Sequence, residues 1–317
     1  MTIVVVGEGM IELSPAGQPR AWTLAYGGDT LNTAIHLARL GHDVGFLTAL
    51  GSDPFSDQLR AAWVGEGLRR EFLLADPARR PGLYAISNDH RGERQFTYWR
   101  SDSAARQVFA LPGSADVIAA AARADLLVFS MISLAILPAA GRAALLDLAR
   151  AVRANGGRVA FDTNFRPALW PDIEDARAAY RDALAVADIG LPTLEDEEAL
   201  RGAETETGAD AANAILDGWA RAGVGEVALK RGADGCLVNG TLVRPAAVLS
   251  PVDTSGAGDA FNAGYLHARL GDQAPRAAAR AGHELAGWVV MQRGAIPDRT
   301  AGAPYGQMIG PTNMDRP

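Results

Sequence analysis

The sequence predicts an α/β protein: a mainly parallel central sheet with helices on both faces, plus a small β lid. Short apolar or β-branched runs recur at 3–6, 43–47, 126–129, 158–162, 188–191 and 226–230, and longer Ala- and Leu-rich segments with helical spacing separate most of them. Apolar strands that alternate with helices fit a sheet covered on both sides. The alternation breaks at 12–24 and at 82–99. Within the second stretch, 82–87 and 94–99 show period-two patterning around the polar turn Asn88-Asp89-His90-Arg91-Gly92-Glu93, which predicts a β-hairpin outside the main sheet.

Taken in chain order, Ile3 to Val6 gives the first strand, ending in Gly7-Glu8-Gly9. That run is too short and wrongly flanked for a secretion signal. Gly27-Gly28-Asp29-Thr30-Leu31-Asn32-Thr33-Ala34 leads into a helix that stops at Leu40-Gly41, and Gly51-Ser52-Asp53-Pro54-Phe55 reads as a turn. The 82–99 hairpin, with its polar and aromatic side chains, is expected to act as a lid; a plain surface decoration is the alternative. Residues 137–155 read as a helix stopped by Gly156-Gly157. Residues 1–298 form the expected body. The tail at 299–317, rich in Gly, Pro and polar residues, is expected to be poorly ordered or loosely docked. An open α/β sheet gathers functional groups at the carboxyl ends of its strands, which places Asp162, Asn164, Thr193, Lys230 and Asp259 together.

Composition narrows the partners. A net charge of -7 over 317 residues leaves no basic stripe for nucleic acid. No apolar run approaches the roughly 20 residues that span a bilayer, so a soluble protein is expected. The single cysteine, Cys236, excludes an internal disulfide and fits a reducing cytoplasm.

The richest chemistry lies in Asp253-Thr254-Ser255-Gly256-Ala257-Gly258-Asp259-Ala260-Phe261. Gly256 and Gly258 let consecutive N–H groups point into one concavity, and the run to Leu270 reads as the helix that follows. Such a helix start attracts phosphate, so Gly256, Ala257 and Gly258 are candidates to hold a transferring phosphoryl group. Asp259, negative at a site that favours anions, points to a base and not to a phosphate clamp. Asp253 shapes the turn or influences a metal region. The bland alternative is a glycine turn capped by an aspartate. A dinucleotide site is a poorer fit, because Gly7-Glu8-Gly9 lacks the third glycine of that fingerprint.

The Gly-Gly-x-x-x-Asn-x-Ala helix start, the 51–55 turn and the 253–259 signature, in that order and separation, resemble the ribokinase-like (PfkB) carbohydrate kinases over roughly residues 1–298. The resemblance implies ATP and Mg2+, with Asp259 as general base toward a sugar hydroxyl. It also implies a lid over the sugar that often mediates self-association. By the same resemblance the loop Lys230-Arg231-Gly232-Ala233-Asp234-Gly235 lines the nucleotide, and His283, on a late helix with Glu284, Trp288 and Met291, approaches the adenine. A plain strand-to-strand turn explains Gly232 and Gly235 equally well, and an apolar Trp and Met at helical spacing are more often core. Thr193-Leu194-Glu195-Asp196 stands where many relatives carry Asn-x-x-Glu near metal and phosphate. With that departure, the metal-contacting residues stay unassigned.

The acceptor site holds two candidate arginines, Arg100 and Arg166. A guanidinium matches a carboxylate through paired hydrogen bonds, which points to an acidic acceptor; an exposed surface arginine is the alternative for each. The segments 98–106 and 164–170 are similar to the branch of the family that acts on 2-keto-3-deoxygluconate at its 6-hydroxyl. That similarity implies that Gly28, Asp29 and Asn32 meet acceptor hydroxyls, while Tyr84, Tyr98, Arg100 and Arg166 hold the carboxylate and keto end. A fructokinase, a ribokinase and a weakly catalytic sugar-binding regulator are the competing expectations.

Overall fold

The computed structural model describes residues 1–18, 20–88, 94–202, 209–300 and 302–309. Its strands are β1 Thr2–Val6, β2 Met10–Pro15, β3 Trp22–Gly27, β4 Asp43–Leu50, β5 Leu73–Ala75, β6 Gly82–Asn88, β7 Arg94–Trp99, β8 Leu126–Ser130, β9 Arg158–Asp162, β10 Ile189–Gly190, β11 Glu226–Lys230, β12 Cys236–Val238 and β13 Thr241–Val243. Its α-helices are α1 Asp29–Arg39, α2 Pro54–Gly65, α3 Ser114–Ala121, α4 Met131–Ile136, α5 Ala139–Ala154, α6 Ile173–Leu184, α7 Leu194–Arg201, α8 Ala209–Arg221, α9 Ala257–Leu270, α10 Pro275–Val290 and α11 Tyr305–Ile309.

Among the described residues, nine strands form one sheet in the order β13-β12-β11-β10-β9-β8-β1-β4-β5. The pairs from β11 through β5 are parallel, and β12 and β13 add an antiparallel edge. Successive side chains of β1 serve opposite faces. Ile3 and Val5 pack with residues of α1, α2, α9 and α10, while Val4 and Val6 pack with residues of α4, α5, α6 and α8. This two-sided burial is why the strands read as continuous apolar runs rather than as alternations. The run at 188–191 shortens to two paired residues, Ile189 and Gly190.

The lid is a separate sheet of order β3-β2-β6-β7. Two antiparallel hairpins, β2–β3 and β6–β7, are joined by the parallel pairing of β2 with β6. The first segment is broader than 12–24, and the predicted polar turn lies, from residue 89 onward, outside the described residues. The register puts Glu12, Tyr84, Tyr98 and Phe96 on one face of this sheet. Ile11, Leu24, Tyr26 and Trp99 lie on the other.

Within the tail, Tyr305–Ile309 form α11. Tyr305 is buried, its hydroxyl lies 2.8 Å from His36 Nδ1, and it packs edge-on against Trp288. Apolar and aromatic contact outweighs the segment's high content of turn residues. Residues 310–317 lie outside the described set. No helix among the described residues is long and apolar enough to cross a membrane.

Candidate active site

The two signature segments meet. α9 starts at Gly256, whose φ of 71° lies in the left-handed region, and a Cβ there would come within 2.5 Å of the Ala295 Cβ. Conformation and space both demand glycine. Asp253 fixes the turn from below, accepting hydrogen bonds from Ser255 N and Gly294 N, each at 2.9 Å. That supports its shaping role.

Asp259 sits in the first turn of α9 and is buried. Its Oδ2 accepts a 2.7 Å hydrogen bond from Asn32 Nδ2, and its backbone oxygen accepts one from Thr33 Oγ1 at 3.3 Å. Both donors belong to α1, so the start of α1 is tied side by side to the start of α9. Asp29, also on α1, accepts from Ser130 Oγ at 2.5 Å and from Asn164 Nδ2 at 3.3 Å. Burial pushes the Asp259 carboxyl up to about 8; repulsion from Asp29 adds to the shift and the Asn32 hydrogen bond opposes it. Burial likewise raises Asp29, against the pull of the Ser130 hydrogen bond and the positive charge of Arg100. Buried like charges close to each other disfavour double ionisation.

A second buried cluster lies beside the turn. Lys230 Nζ donates to Asp162 Oδ1 at 3.1 Å and to Asn262 Oδ1 at 3.0 Å, and Asn262 Nδ2 closes the ring onto Asp162 Oδ2 at 2.8 Å. A Cβ on Gly258 would stand 3.8 Å from that ammonium, so the cation faces the glycine turn. Gly232 and Gly235 occupy the tight turn between β11 and β12, with φ of 54° and 107°. A side chain at Gly235 would strike Val243 O at 2.3 Å, so the turn itself accounts for that glycine. Thr193 bridges to Lys230 and caps α7 without a side-chain hydrogen bond. Asp196 lies 3.3 Å from Arg166, and burial pushes its carboxyl up to about 6. Glu197 turns inward to Tyr180 and Trp219. His283 contacts Val243 O at 3.0 Å and meets Phe261 edge-on.

The lid supplies the opposite wall. Tyr84 packs tilted against Phe96 and Tyr98, and Asp259 is close enough to raise its phenol pKa further after burial and Glu12 have done so. Arg100 lies 5.8 Å from the Tyr98 ring centre and is paired with Glu8, its Nε 2.8 Å from Oε2. Gly28 packs so tightly on Glu8 that a Cβ would meet its carbonyl oxygen at 2.2 Å. Arg166, by contrast, is more than half exposed at its side chain, at 54%. A glycine-cradled helix start, a buried carboxyl beneath it and a polar lid opposite make a cleft suited to moving a phosphoryl group onto a hydroxyl.

Residues 2–301 match the family described as pfkB family carbohydrate kinase. The chain belongs to that family. It is 44% identical over 305 residues to the 2-dehydro-3-deoxygluconokinase of Dickeya dadantii, covering 93% of this chain and 96% of that one. It is 42% identical over 310 residues to the Escherichia coli protein of the same name, covering 94% and 98%. The crystal structure of a PfkB protein from a Polaromonas species superposes with a TM-score of 0.80 at 27% identity, covering 94% of this chain and 97% of that one.

In this pfkB kinase several residues at the site escaped the sequence reading. Glu8 carried a signal, a charge between two glycines at the carboxyl end of the first strand. Asn262 sits three residues after Asp259, one helical turn along the same face of α9. Ser130 pairs beside Asp162 in the β8–β9 register. Glu12 showed only as the lone charge of its strand.

Proposed function

We propose that the protein transfers the terminal phosphoryl group of ATP to the 6-hydroxyl of 2-keto-3-deoxygluconate, with Asp259 as general base. The observation that carries this is the placement of Asp259 at the head of α9, buried and tied to Asn32 at the start of α1. Relatives named for this activity align over nearly the whole chain.

The acceptor lies between the lid and the start of α1, where Gly28, Asp29 and Asn32 meet its hydroxyls. Its carboxylate is taken by Arg100, Arg166 and Tyr98. Asp259 removes the hydroxyl proton as the sugar oxygen bonds to the γ-phosphorus and the bond to the β-phosphate oxygen breaks, releasing ADP. The N–H groups of Gly256, Ala257 and Gly258, with Lys230, stabilise the charge on the transferred group. A base whose pKa lies near the working pH suits this role.

Mg2+ neutralises phosphate charge when it accompanies the nucleotide. No three His, Cys, Asp or Glu side chains gather as a metal cage among the described residues. That fits an ion held by phosphates, waters and one or two carboxylates. Asp196, in the first turn of α7 next to Thr193 and its bridge partner Lys230, would hold it through water. A reaction that draws on ATP is consistent with the reducing cytoplasm expected from the single cysteine.

One observation favours a neutral acceptor instead: Glu8 and Asp196 already partner the two arginines. A kcat/KM panel of acidic and neutral sugars in an ADP-release assay decides. The keto-deoxy acid should lead, with phosphorus NMR locating the ester on carbon 6; faster turnover of fructose or ribose would overturn the assignment.

A further inference from the structure

We infer that Glu12 is a positioning residue that takes up the only proton Tyr84 can donate, so that Tyr84 recognises the acceptor as a hydrogen-bond acceptor, through one of the sugar's hydroxyls. This rests on the preceding assignment of the cleft between lid and Asp259 as the acceptor site.

Glu12 and Tyr84 are register partners on adjacent parallel strands, β2 and β6, and the Tyr84 hydroxyl donates to Glu12 Oε2. A phenol has a single O–H, and an ionised carboxylate only accepts. Once that proton is committed, the phenol oxygen has lone pairs to offer and nothing to give. It cannot donate to the acceptor's carboxylate or keto oxygen, but it can receive a hydrogen from a hydroxyl. The bond is charge-assisted and therefore among the stronger kinds.

Two further features hold the phenol in this pose. A Cβ on Gly27 would meet the Tyr84 oxygen at 2.5 Å and Glu12 Oε2 at 3.7 Å, so the absent side chain at Gly27 is what leaves room for the pair. Gly27 directly precedes Gly28 and Asp29, which puts the phenol oxygen over the start of α1. The charge of Asp259 also acts on Tyr84, which sets the phenol on the catalytic side of the lid. The carboxylate end of the acceptor then falls to Arg100, Arg166 and Tyr98, and Tyr84 leaves the group of residues expected to hold it.

The test is a double-mutant cycle on the full-length enzyme, using whichever acceptor in the sugar panel the wild type turns over best. Should none be turned over, acceptor Kd by calorimetry replaces KM, and it is the assigned activity that fails. Glu12→Ala should raise acceptor KM about 10-fold with kcat within about twofold and KM for ATP unchanged. Glu12→Gln, whose amide oxygen still accepts from the phenol, should recover most of that loss. In a Tyr84→Phe background Glu12→Ala should add less than about twofold, because the partner through which it acts is gone. A full-sized effect of Glu12→Ala in that background, or an unchanged acceptor KM in Glu12→Ala alone, would overturn the inference. Glu12→Gln keeps the test valid if Glu12→Ala melts early.

Discussion

The floor of the cleft and its lid solve different problems. On the floor, Asp259, Asp162 and Lys230 are buried and Asp29 is half-buried, and each is held by a side chain from another element. On the lid, Phe96 and Tyr98 are half exposed, and the tightest polar contact joins neighbouring strands of the same small sheet. Phosphoryl transfer needs groups fixed to a fraction of an ångström before the nucleotide arrives, and a rigid doubly covered sheet provides that. Choosing a sugar needs a wall that meets the acceptor and can part from it. Damage to the floor should therefore appear in kcat, and damage to the lid in the acceptor KM.

The sharpest way to break this division is Asp259→Asn. We expect kcat to fall by at least about a thousandfold with the acceptor KM little changed. Near-wild-type turnover would remove the base from the mechanism. The folded Asp259 binds its proton more tightly than the ordinary 3.8, up to about 8. Between those two values the folded state holds a proton that the unfolded state has released, so the residue's contribution to stability is lost as pH rises through that window. Asp259→Asn should thus melt no earlier than wild type at a pH of about 9, above that window; an earlier melt would show that the carboxylate stabilises the fold.

The two arginines sharpen the lid side. Arg100→Met leaves Glu8 buried without its cation and should cost about 3 kcal/mol of stability as well as acceptor affinity. Arg166→Met, at a half-exposed side chain, should raise acceptor KM while shifting stability by less than about 0.5 kcal/mol. Equal melting temperatures for the two variants would contradict the burial difference between them.

A gentler probe is pH. A protonated carboxyl cannot accept the sugar's proton, so kcat/KM should rise with pH through about 8 and flatten above it. The rise should vanish in Asp259→Asn if residual activity is measurable. The smallest expected effect is a suppression. Gly27→Ala should raise acceptor KM by crowding the Tyr84 oxygen, and Tyr84→Phe, which lacks that oxygen, should relieve part of the added defect. A Gly27→Ala defect of unchanged size in the Tyr84→Phe background would place the crowding elsewhere.

Much of the floor was legible because its residues are contiguous in sequence. The 253–259 turn carries its glycines, its turn aspartate and Asp259 within seven positions, and the α1 start does nearly the same at 27–34. The strands were legible because both faces of the sheet are covered, which leaves continuous apolar runs. The lid hairpin showed by its alternation. What stayed hidden depends on pairing across distance. Nothing local to Glu12 says that a strand 72 residues away will bring Tyr84 against it, and nothing local to Arg100 names Glu8, 92 residues earlier. The tail's contacts were hidden for a related reason. Its composition is that of a loop, and it is held where Tyr305 meets His36 and Arg39 of α1 and Trp288 of α10.

The contact of Tyr305 with His36 spans 269 positions, and His36 also reaches the Ala295 carbonyl at 3.0 Å, next to the spot where Gly256 packs. A nascent chain leaves the ribosome at roughly 5–20 residues per second, so α1 waits for tens of seconds before its final neighbour is made. During that interval its buried face has no docking partner from the far end of the polypeptide. The enzyme's cleft is thus assembled late: the start of α1 is translated early, and Asp259, which Asn32 holds, follows it by 227 positions.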